Sequence, residues 1–301
     1  MSWKLSVVAP KDAIEAALDR RDTDPLWDDA VVLAAFEVDP DDGSIWQLDA
    51  YTDRKPGKAE RAAVAGLFDA KMSGLTAEKL PDTDWVTESQ RGAEPIRAGR
   101  FYVHTPDHSS QADPAVTSFC IPAAQAFGTG HHETTSGCLV MLDAMRRGGV
   151  VPRRVADIGT GTGLLAFAAL DLWPHATVTA SDIDPVCEPA VIKNAVRNNV
   201  RLGTGRGTMQ MVVADGMGDE ALQDAAPFDL LIANILAGPL IDMARDFADA
   251  VAPRGSILLS GLLARQEAAV RRAYLRAGFR LHRRLHAGDW SILWLRHRYV
   301  G

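Results

Sequence analysis

The stretch from Val155 to Leu164 constrains the fold of this chain more than any other, because an apolar segment runs through three glycines straight into a second apolar segment. The glycines are Gly159, Gly161 and Gly163. A residue without a Cβ lets the backbone bend sharply and approach a ligand closely. The first N–H groups of a helix have no partner within that helix. The stretch therefore predicts a buried strand, a tight turn and a helix that together form a nucleotide-binding corner.

Strand and helix patterns alternate along the rest of the C-terminal half. Further strands are predicted at 177–182, 209–213, 228–233, 256–259, 279–285 and 290–296, with helical segments between most of them. The last two strands are joined by the short segment His286–Asp289, which is typical of an antiparallel pair. The predicted fold class is α/β, with a seven-stranded, doubly wound, Rossmann-like sheet whose ligand lies beyond the carboxyl ends of the strands.

The N-terminal segment follows a different pattern. A strand is predicted at 3–9, a helix at 11–20, a hairpin from 31–38 and 45–51, a helix at 58–72 and a closing strand around 83–88. This order indicates a small α+β, ferredoxin-like domain. Glycines and prolines interrupt the following stretch. We expect an N-terminal domain at 1–80, a linker at 81–115 with a short strand at 100–104, and a catalytic domain at 116–301.

Composition narrows the class of protein. No stretch of about 18 apolar residues is present, so no transmembrane helix is expected, and the charged N-terminus is unlike a signal peptide. The three cysteines, Cys120, Cys138 and Cys187, are far apart and form no C-x-x-C pair, which suits a reducing compartment and argues against structural zinc. We expect a cytoplasmic protein.

Charge is unevenly distributed along the chain. Residues 1–60 contain 14 acidic and 7 basic side chains, which accounts for the whole net charge of −7. The segment 261–301 contains nine arginines and two acids. An acidic lobe suits a basic partner, although a solvated surface explains it equally simply. The arginines alternate with Leu281, Leu285 and Trp290, as in elements with solvated faces, so we expect no stable nucleic-acid binding.

The spacing of the glycines decides which ligand fits the corner. A dinucleotide-binding turn has the pattern G-x-G-x-x-G, but Leu164 stands where its third glycine would be. The register from Asp157 to Gly163 instead resembles the first motif of S-adenosylmethionine-dependent methyltransferases. Asp182 ends a β-branched strand about twenty residues further on, where a ribose-binding carboxylate is expected.

Asn234 follows four apolar residues at the carboxyl end of a predicted strand. Its side-chain oxygen could accept a hydrogen bond from an amine and so aim the nitrogen lone pair at a methyl group. The alternative is that Asn234 caps the next helix or supports a turn.

Several segments together resemble one family, the ribosomal protein methyltransferases known as PrmA, which modify large-subunit ribosomal protein eleven. The similarity covers roughly 85–285. Its most specific motifs are Phe-Gly-Thr-Gly-His at 127–131 and Ala-Asn-Ile-Leu-Ala-Gly-Pro-Leu at 233–240. The other matching residues are Thr134 and Thr135, 157–163, 182–185, Asn194 and Asn198, Ser-Gly-Leu-Leu at 260–263, and the linker residues Trp85, Pro95, Ile96 and 99–101.

The resemblance implies S-adenosylmethionine as cofactor and S-adenosylhomocysteine as product. It implies transfer to lysine ε-amines and an N-terminal α-amine of ribosomal protein eleven, which the N-terminal domain docks, by an enzyme we expect to be a monomer. Asn234 is the catalytic candidate. The cofactor-binding candidates are Phe127, Gly128, Thr134, Thr135, Asp157, Gly159, Gly161, Gly163, Asp182, Ile183, Asp215 and Asn234.

The chain departs from the family pattern in two motifs. One is His-His-Glu-Thr-Thr at 131–135, which retains the threonine pair, and the other is Gly-Thr-Gly-Thr-Gly at 159–163, which retains the glycines. Phe127 and Leu236 are candidates for an apolar wall that disfavours a protonated lysine. His131 is a weaker candidate for a general base, and no metal is expected at His131 and His132 because no third ligand has suitable spacing.

Three other functions remain open on the sequence. The first is N-methylation of another protein, a nucleobase or a small amine. A nicotinamide-dependent dehydrogenase is disfavoured by Leu164, and a catalytically silent assembly factor is disfavoured by the presence of Asp182 and Asn234.

Overall fold

The computed structural model describes residues 3–23, 27–28, 31–39, 42–52, 54–68, 75–79, 94–111, 113–122 and 132–297. The chain divides into two units, Met1–Glu88 and Ser89–Gly301. Each unit has hydrophobic clusters of its own. Within the described ranges, no helix is long and apolar enough to cross a membrane.

The N-terminal unit is built on a four-stranded antiparallel sheet with the order β2-β3-β1-β4. Its elements are β1 (Trp3–Pro10), α1 (Lys11–Thr23), β2 (Val32–Asp39), β3 (Asp42–Thr52), α2 (Lys58–Gly66) and β4 (Thr76–Lys79). The first five lie where the sequence predicts them, although α2 is shorter than expected. The strand that closes the described sheet, β4, comes earlier in the chain than the predicted one. Residues 76–79 pair with β1, whereas 83–88 lie outside the described residues.

One face of this sheet packs against the helices. Leu5 and Val7 of β1 point to the same side, as period-two alternation requires, and both are buried. They pack in clusters with Val64 of α2 and Ile14 of α1, respectively. The opposite face, which we call the open face, carries three apolar side chains that are 44–60% exposed, namely Val8, Val32 and Phe36.

The second unit begins with a small sheet that joins the main core. Its strands are β5 (Ile96–Ala98), β6 (Phe101–His104) and β7 (Thr117–Cys120), and the helix α3 (His132–Arg147) follows. Ala98, Phe101 and Val103 are buried in the same hydrophobic cluster as α3. Two strands of the expected linker, 81–115, therefore pack with the catalytic unit.

The seven predicted strands form one sheet with the order β10-β9-β8-β11-β12-β14-β13. Its elements are β8 (Arg154–Ile158), α4 (Leu164–Leu172), β9 (Thr177–Asp182), α5 (Cys187–Arg197), β10 (Thr208–Val213), α6 (Glu220–Ala225), β11 (Phe228–Asn234), α7 (Ala237–Asp242), α8 (Ala244–Ala250), β12 (Val251–Leu263), a 3-10 turn (Ala264–Gln266), α9 (Glu267–Arg276), β13 (Phe279–Ala287) and β14 (Trp290–His297). The strands β8–β12 are parallel, and β14 runs antiparallel to both of its neighbours. The prediction of a doubly wound sheet with an antiparallel last strand is confirmed.

Helices cover both faces of this sheet, which explains its long apolar strands. One face packs with α3 and α4, and the other with α7, α8 and α9. Eight of the nine residues of α4 are buried, so this helix lies inside the core directly after the glycine turn.

Candidate active site

The carboxyl ends of four neighbouring strands meet at one edge of the seven-stranded sheet. Ile158 of β8 is in register with Ser181 of β9 and with Ala233 of β11, and Asn234 is in register with Ser260 of β12. The predicted candidates Asp182 and Asn234 therefore lie on either side of the glycine turn that follows β8. Doubly wound sheets bind their ligands at this edge. The structure therefore brings the predicted site residues together where a ligand is expected.

The three glycines of the turn have backbone conformations that other residues rarely adopt. Their φ angles are +70° at Gly159, +55° at Gly161 and +86° at Gly163. In the left-handed region a side chain collides with its own backbone, at a cost of about 1–2 kcal/mol per residue. At Gly163 an added Cβ would also stand 2.7 Å from the ring of Phe167. The turn therefore depends on glycine for its shape.

Asp157 braces this turn from inside the core. Its Oδ2 accepts a hydrogen bond from the Thr160 hydroxyl at 2.6 Å and another from the Ala166 backbone N–H at 3.1 Å. The side chain is only 1% exposed, and this burial raises its pKa from 3.8 to about 6 despite the two donors. Asp157 thus joins the turn to the first residues of α4 and does not face the crevice.

Asp182 lies against the outer side of the same turn. Its Oδ2 accepts a hydrogen bond from the Gly161 N–H at 2.8 Å, and its Oδ1 accepts one from the Asp184 N–H at 3.1 Å. The carbonyl of Asp182 accepts from the Ala214 N–H at 2.9 Å, which brings the exposed Asp215 to the neighbouring strand end. Beside it, Ile183 leaves 65% of its surface exposed.

Ile235 fixes the position of Asn234 because two glycines enclose it. An added Cβ at Gly159 would collide with Cγ2 of Ile235, and one at Gly261 would collide with its carbonyl oxygen. Gly261 has a φ of +81° and lies where the register between β12 and β14 shifts. The segment after β11 is therefore held between the glycine turn and β12.

The side-chain amide of Asn234 uses only its donor group among the described residues. Its Nδ2 donates to Thr135 Oγ1 at 3.4 Å, which ties the strand end to the first turn of α3. Its Oδ1 is buried and has no hydrogen-bond partner among the described residues. The alternative capping role is wrong, because Leu236 is the N-cap residue of α7 and no side chain caps that helix. A buried acceptor without a donor marks a place for a ligand.

Comparison with known proteins agrees with this geometry. The family model described as "Ribosomal protein L11 methyltransferase (PrmA)" matches residues 6–298. A relative from Agrobacterium fabrum with that name is 40% identical over 276 residues, which cover 91% of this chain and 92% of the relative. The chain belongs to the PrmA family. A second relative of the same name, from Mesorhizobium japonicum, is 40% identical over 90% of this chain and 91% of its own length.

A solved structure supports the fold alone. The crystal structure of a ribosomal protein L11 methylase from Lactobacillus delbrueckii subsp. bulgaricus has a TM-score of 0.57 with 24% identity. It covers 68% of this chain and 100% of that one. The fold of the second unit is therefore similar to that of the solved methylase.

Membership of the PrmA family makes this chain a methyltransferase, and its methyl donor is S-adenosylmethionine. The described residues fit that donor. The glycine turn leaves room for a ligand that side chains would fill, and Asn234 offers a buried acceptor. Negative charge also collects here: the pKa of the Cys187 thiol rises to about 11, first through burial and then through the charge of Asp182. A carboxylate edge suits a cationic sulfonium donor.

Some of the remaining candidates of the PrmA pattern lie within the described residues and others do not. Thr134 is buried in the first turn of α3, beside Thr135. Leu236 follows Ile235 and is 65% exposed at the crevice, as an apolar wall requires. Phe127, Gly128 and His131 lie outside the described residues, as does the side chain of His132.

Three supporting residues of the PrmA pattern had no assigned role in the sequence. Asn194 Nδ2 donates to the Thr162 carbonyl at 3.1 Å, so it braces the glycine turn. Asn198 exchanges two hydrogen bonds with the backbone of Cys120, at 2.7 and 2.9 Å. Gly261 completes the enclosure of Ile235. The motifs contained these residues, but their partners are distant in sequence.

Proposed function

We propose that this protein transfers methyl groups from S-adenosylmethionine to lysine ε-amines, and to the N-terminal α-amine, of ribosomal protein L11. The observation that carries the proposal is the buried Oδ1 of Asn234 beside the glycine turn, which accepts no hydrogen bond from the described residues. The printed names of the two bacterial relatives support the choice of substrate protein.

We assign the cofactor-binding roles to residues that lie together at the carboxyl-end edge of the seven-stranded sheet. We assign the ribose hydroxyls to Asp182, since its carboxylate lies against Gly161 at the strand end. The exposed apolar surface of Ile183 and the carboxylate of Asp215 would hold the adenine ring and its amino group. Thr134 and Thr135 are assigned to the same pocket because Thr135 is hydrogen-bonded to Asn234. Phe127 and Gly128 complete the expected set.

The donor supplies a methyl group that its sulfonium already activates, so the protein needs no covalent nucleophile. A protonated lysine has no lone pair, and the apolar surface of Leu236 disfavours that charged form. Asn234 Oδ1 then accepts an N–H of the neutral amine and orients the lone pair. Holding the reactants in line contributes several kcal/mol, on the order of 7 or more, to lowering the barrier.

We assign substrate docking to a ferredoxin-like domain at 1–80, joined by a linker at 81–115 to the catalytic domain at 116–301. The order β1-α1-β2-β3-α2-β4 with an antiparallel β2-β3-β1-β4 sheet supports this assignment. The open face offers Val8, Val32 and Phe36 to a partner, since several exposed apolar residues on one face of a sheet are typical of a contact surface. We propose a monomer that acts in the cytoplasm. Neither docking nor transfer requires a nucleic acid.

The proposed function is tested by the location of a label. The full chain is incubated with methyl-labelled S-adenosylmethionine and, separately, with purified ribosomal protein L11, ribosomal RNA and a second basic ribosomal protein. Label on L11 alone is the expected result. Label on RNA or on the second protein, with none on L11, would show that the substrate is misassigned.

Asp182→Ala tests the placement of the cofactor. We expect calorimetry to show weaker binding of S-adenosylmethionine, by at least tenfold, because a charge-assisted hydrogen bond contributes about 1.5–3 kcal/mol. Unchanged affinity would remove Asp182 from the ribose contact.

Phe36→Asp tests docking at the open face. We expect a raised KM for ribosomal protein L11 with unchanged affinity for the cofactor. Ala63→Asp is the matched control, because it adds the same charge at an exposed position of α2. If Ala63→Asp raises KM and Phe36→Asp does not, the docking surface is on the helical side of the domain.

A further inference from the structure

The C-terminal arginines gather at one end of the seven-stranded sheet. Eight arginines, no lysine and two acids lie between positions 264 and 297. From the sequence alone, these arginines are expected only on the solvated faces of separate elements. In the structure, β13 is the edge strand of the sheet, β14 lies next to it, and α9 packs alongside β13. The fold therefore concentrates positive charge that the sequence spreads over 34 positions.

A groove of about 550 Å³ separates α9 from β13. Arg271, Arg272 and Arg280 line it, together with the apolar side chains of Leu281 and Leu295. Arg280 Nη1 donates to the carbonyl of Leu275 at 3.3 Å, which holds its guanidinium against the end of α9 without neutralising its charge. This groove is basic at its rim.

A second groove, of about 400 Å³, lies at the other side of the same strands. Arg254, His282 and Arg296 line it beside Trp294, so that its basic side chains outnumber its single lining carboxylate, Asp229. The rings of His282 and Trp294 are 4.1 Å apart. The pKa of His282 is lowered, first by burial and then by the charges of Arg296 and Arg283. A positive field therefore extends around both sides of the edge.

One buried carboxylate offsets part of this charge. Glu267 pairs with Arg271 at 3.1 Å and with Arg284 at 3.2 Å. In the described part of the chain, the six other arginines of this region form no ion pair: Arg265, Arg272, Arg276, Arg280, Arg283 and Arg296. The uncompensated charge is thus large for a protein whose net charge is −7.

Protection of an exposed edge strand explains only part of this pattern. Charged side chains on an edge strand prevent pairing with other chains, and that accounts for Arg283. It does not account for Arg272 and Arg276 on a helix, or for Arg296 on the inner strand β14. Protein partners are usually anchored by exposed aromatic residues. Here Trp294 is only 4% exposed, so an acidic protein is the poorer fit.

We propose that this surface, the arginine edge formed by Arg272, Arg276, Arg280, Arg283 and Arg296, binds the phosphate backbone of RNA. A guanidinium matches two phosphate oxygens with parallel N–H donors, which makes arginine well suited to this contact. From Arg280 to Arg283, β13 spans roughly 10 Å, a length that can follow a backbone without reading its bases. The inference goes beyond methyl transfer and does not depend on the identity of the methylated protein.

The test measures fluorescence anisotropy of a labelled RNA hairpin with the full chain at several salt concentrations. We expect salt-dependent binding by the wild type. The triple variant Arg272→Glu, Arg283→Glu, Arg296→Glu should bind at least tenfold more weakly. Its slope of log K against log salt should fall by about 0.9 for each phosphate that the variant no longer neutralises.

A matched triple variant controls for net charge. Arg146→Glu, Arg206→Glu and Arg245→Glu change the same charge at exposed positions on other elements, and they should retain RNA binding. Equally weakened binding in both triples, no RNA binding by the wild type, or binding of polyglutamate in preference to RNA would each overturn the proposal. If the first triple does not fold, as judged by circular dichroism, the same positions changed to Gln keep the test decisive.

Discussion

Gly261 lets β12 pass against the carbonyl oxygen of Ile235, and this close approach decides where Asn234 lies. We expect Gly261→Ala to lower the free energy of unfolding by about 3 kcal/mol, the combined cost of a left-handed alanine and of an overpacked contact. Turnover should fall at least tenfold, because the amide of Asn234 moves with Ile235. Thermal unfolding and a methyl-transfer assay measure the two effects.

Gly149→Ala is the matched control for this change. Its φ of +80° almost equals the +81° of Gly261, but an added Cβ at Gly149 meets no atom within 4 Å. The control should lose only about 1 kcal/mol and keep normal turnover. If both variants lose equal stability and equal activity, the contact with Ile235 does not position the site.

Asp157 predicts a pH dependence of stability. Its pKa is about 6 in the folded chain, above its ordinary 3.8, so its contribution to stability is full below about 3.8 and is lost as the pH rises through 6. Asp157→Asn keeps an oxygen for Thr160 and Ala166 but cannot ionise. Its stability relative to the wild type should increase between pH 4 and 7, to roughly 3 kcal/mol.

The measurement is urea unfolding of both proteins at a series of pH values. The difference between them isolates Asp157, since the other titrating groups are shared. A difference that stays constant across this range would contradict the raised pKa.

Sequence spacing found the glycines, Asp157, Asp182 and Asn234, because the motif and the strand ends are local patterns. It could not find the enclosure of Ile235. Gly159, Ile235 and Gly261 come from three segments that are far apart in sequence, and only the register of β8, β11 and β12 brings them together. For the same reason, the hydrogen bond from Asn234 to Thr135, across 99 positions, was not predictable.

At the level of elements, a single close approach sets the position of α3 on β14. An added Cβ at Gly137 would stand 2.5 Å from Cδ1 and 2.6 Å from Cγ1 of Ile292. Gly137→Ala should therefore cost about 1–3 kcal/mol, although alanine is a better helix former than glycine. It should also reduce turnover, because Thr135 lies in the preceding turn.

Ile292→Ala removes both of those atoms and tests the cause. The double variant should be more stable than the sum of the two single effects predicts, because the added Cβ at position 137 fills part of the space that the lost Ile292 atoms leave. Chemical unfolding of the four proteins measures the coupling. Additive effects would show that Gly137 is required for a reason other than its proximity to Ile292.

The elements differ in how well the sequence predicts them. The strands of the large sheet are buried on both faces, so each is an apolar run that stands out from its turns. By contrast, β4 has four residues, of which only Ala77 packs against a hydrophobic cluster of the N-terminal unit. β5, β6 and β7 are only three or four residues long, too short for a periodic pattern to reveal that they form a sheet.

For the whole molecule, the sequence revealed the asymmetry of charge but not its placement. The acidic excess lies in the first 60 residues, and the arginines lie at the end of the chain. Only the strand order shows that β13 is an edge strand and that its arginines form a surface. Charge counted along a chain cannot distinguish scattered solvated residues from such an edge.

The central claim is that Asn234 orients the substrate amine through its unpartnered Oδ1. The most direct measurement is single-turnover transfer of label to ribosomal protein L11 by the wild type and by Asn234→Ala, with S-adenosylmethionine saturating for both. We predict that the wild type labels L11 and that the variant is slower by about a hundredfold, the usual cost of removing one positioned hydrogen-bonding group. Equal rates would contradict the claim.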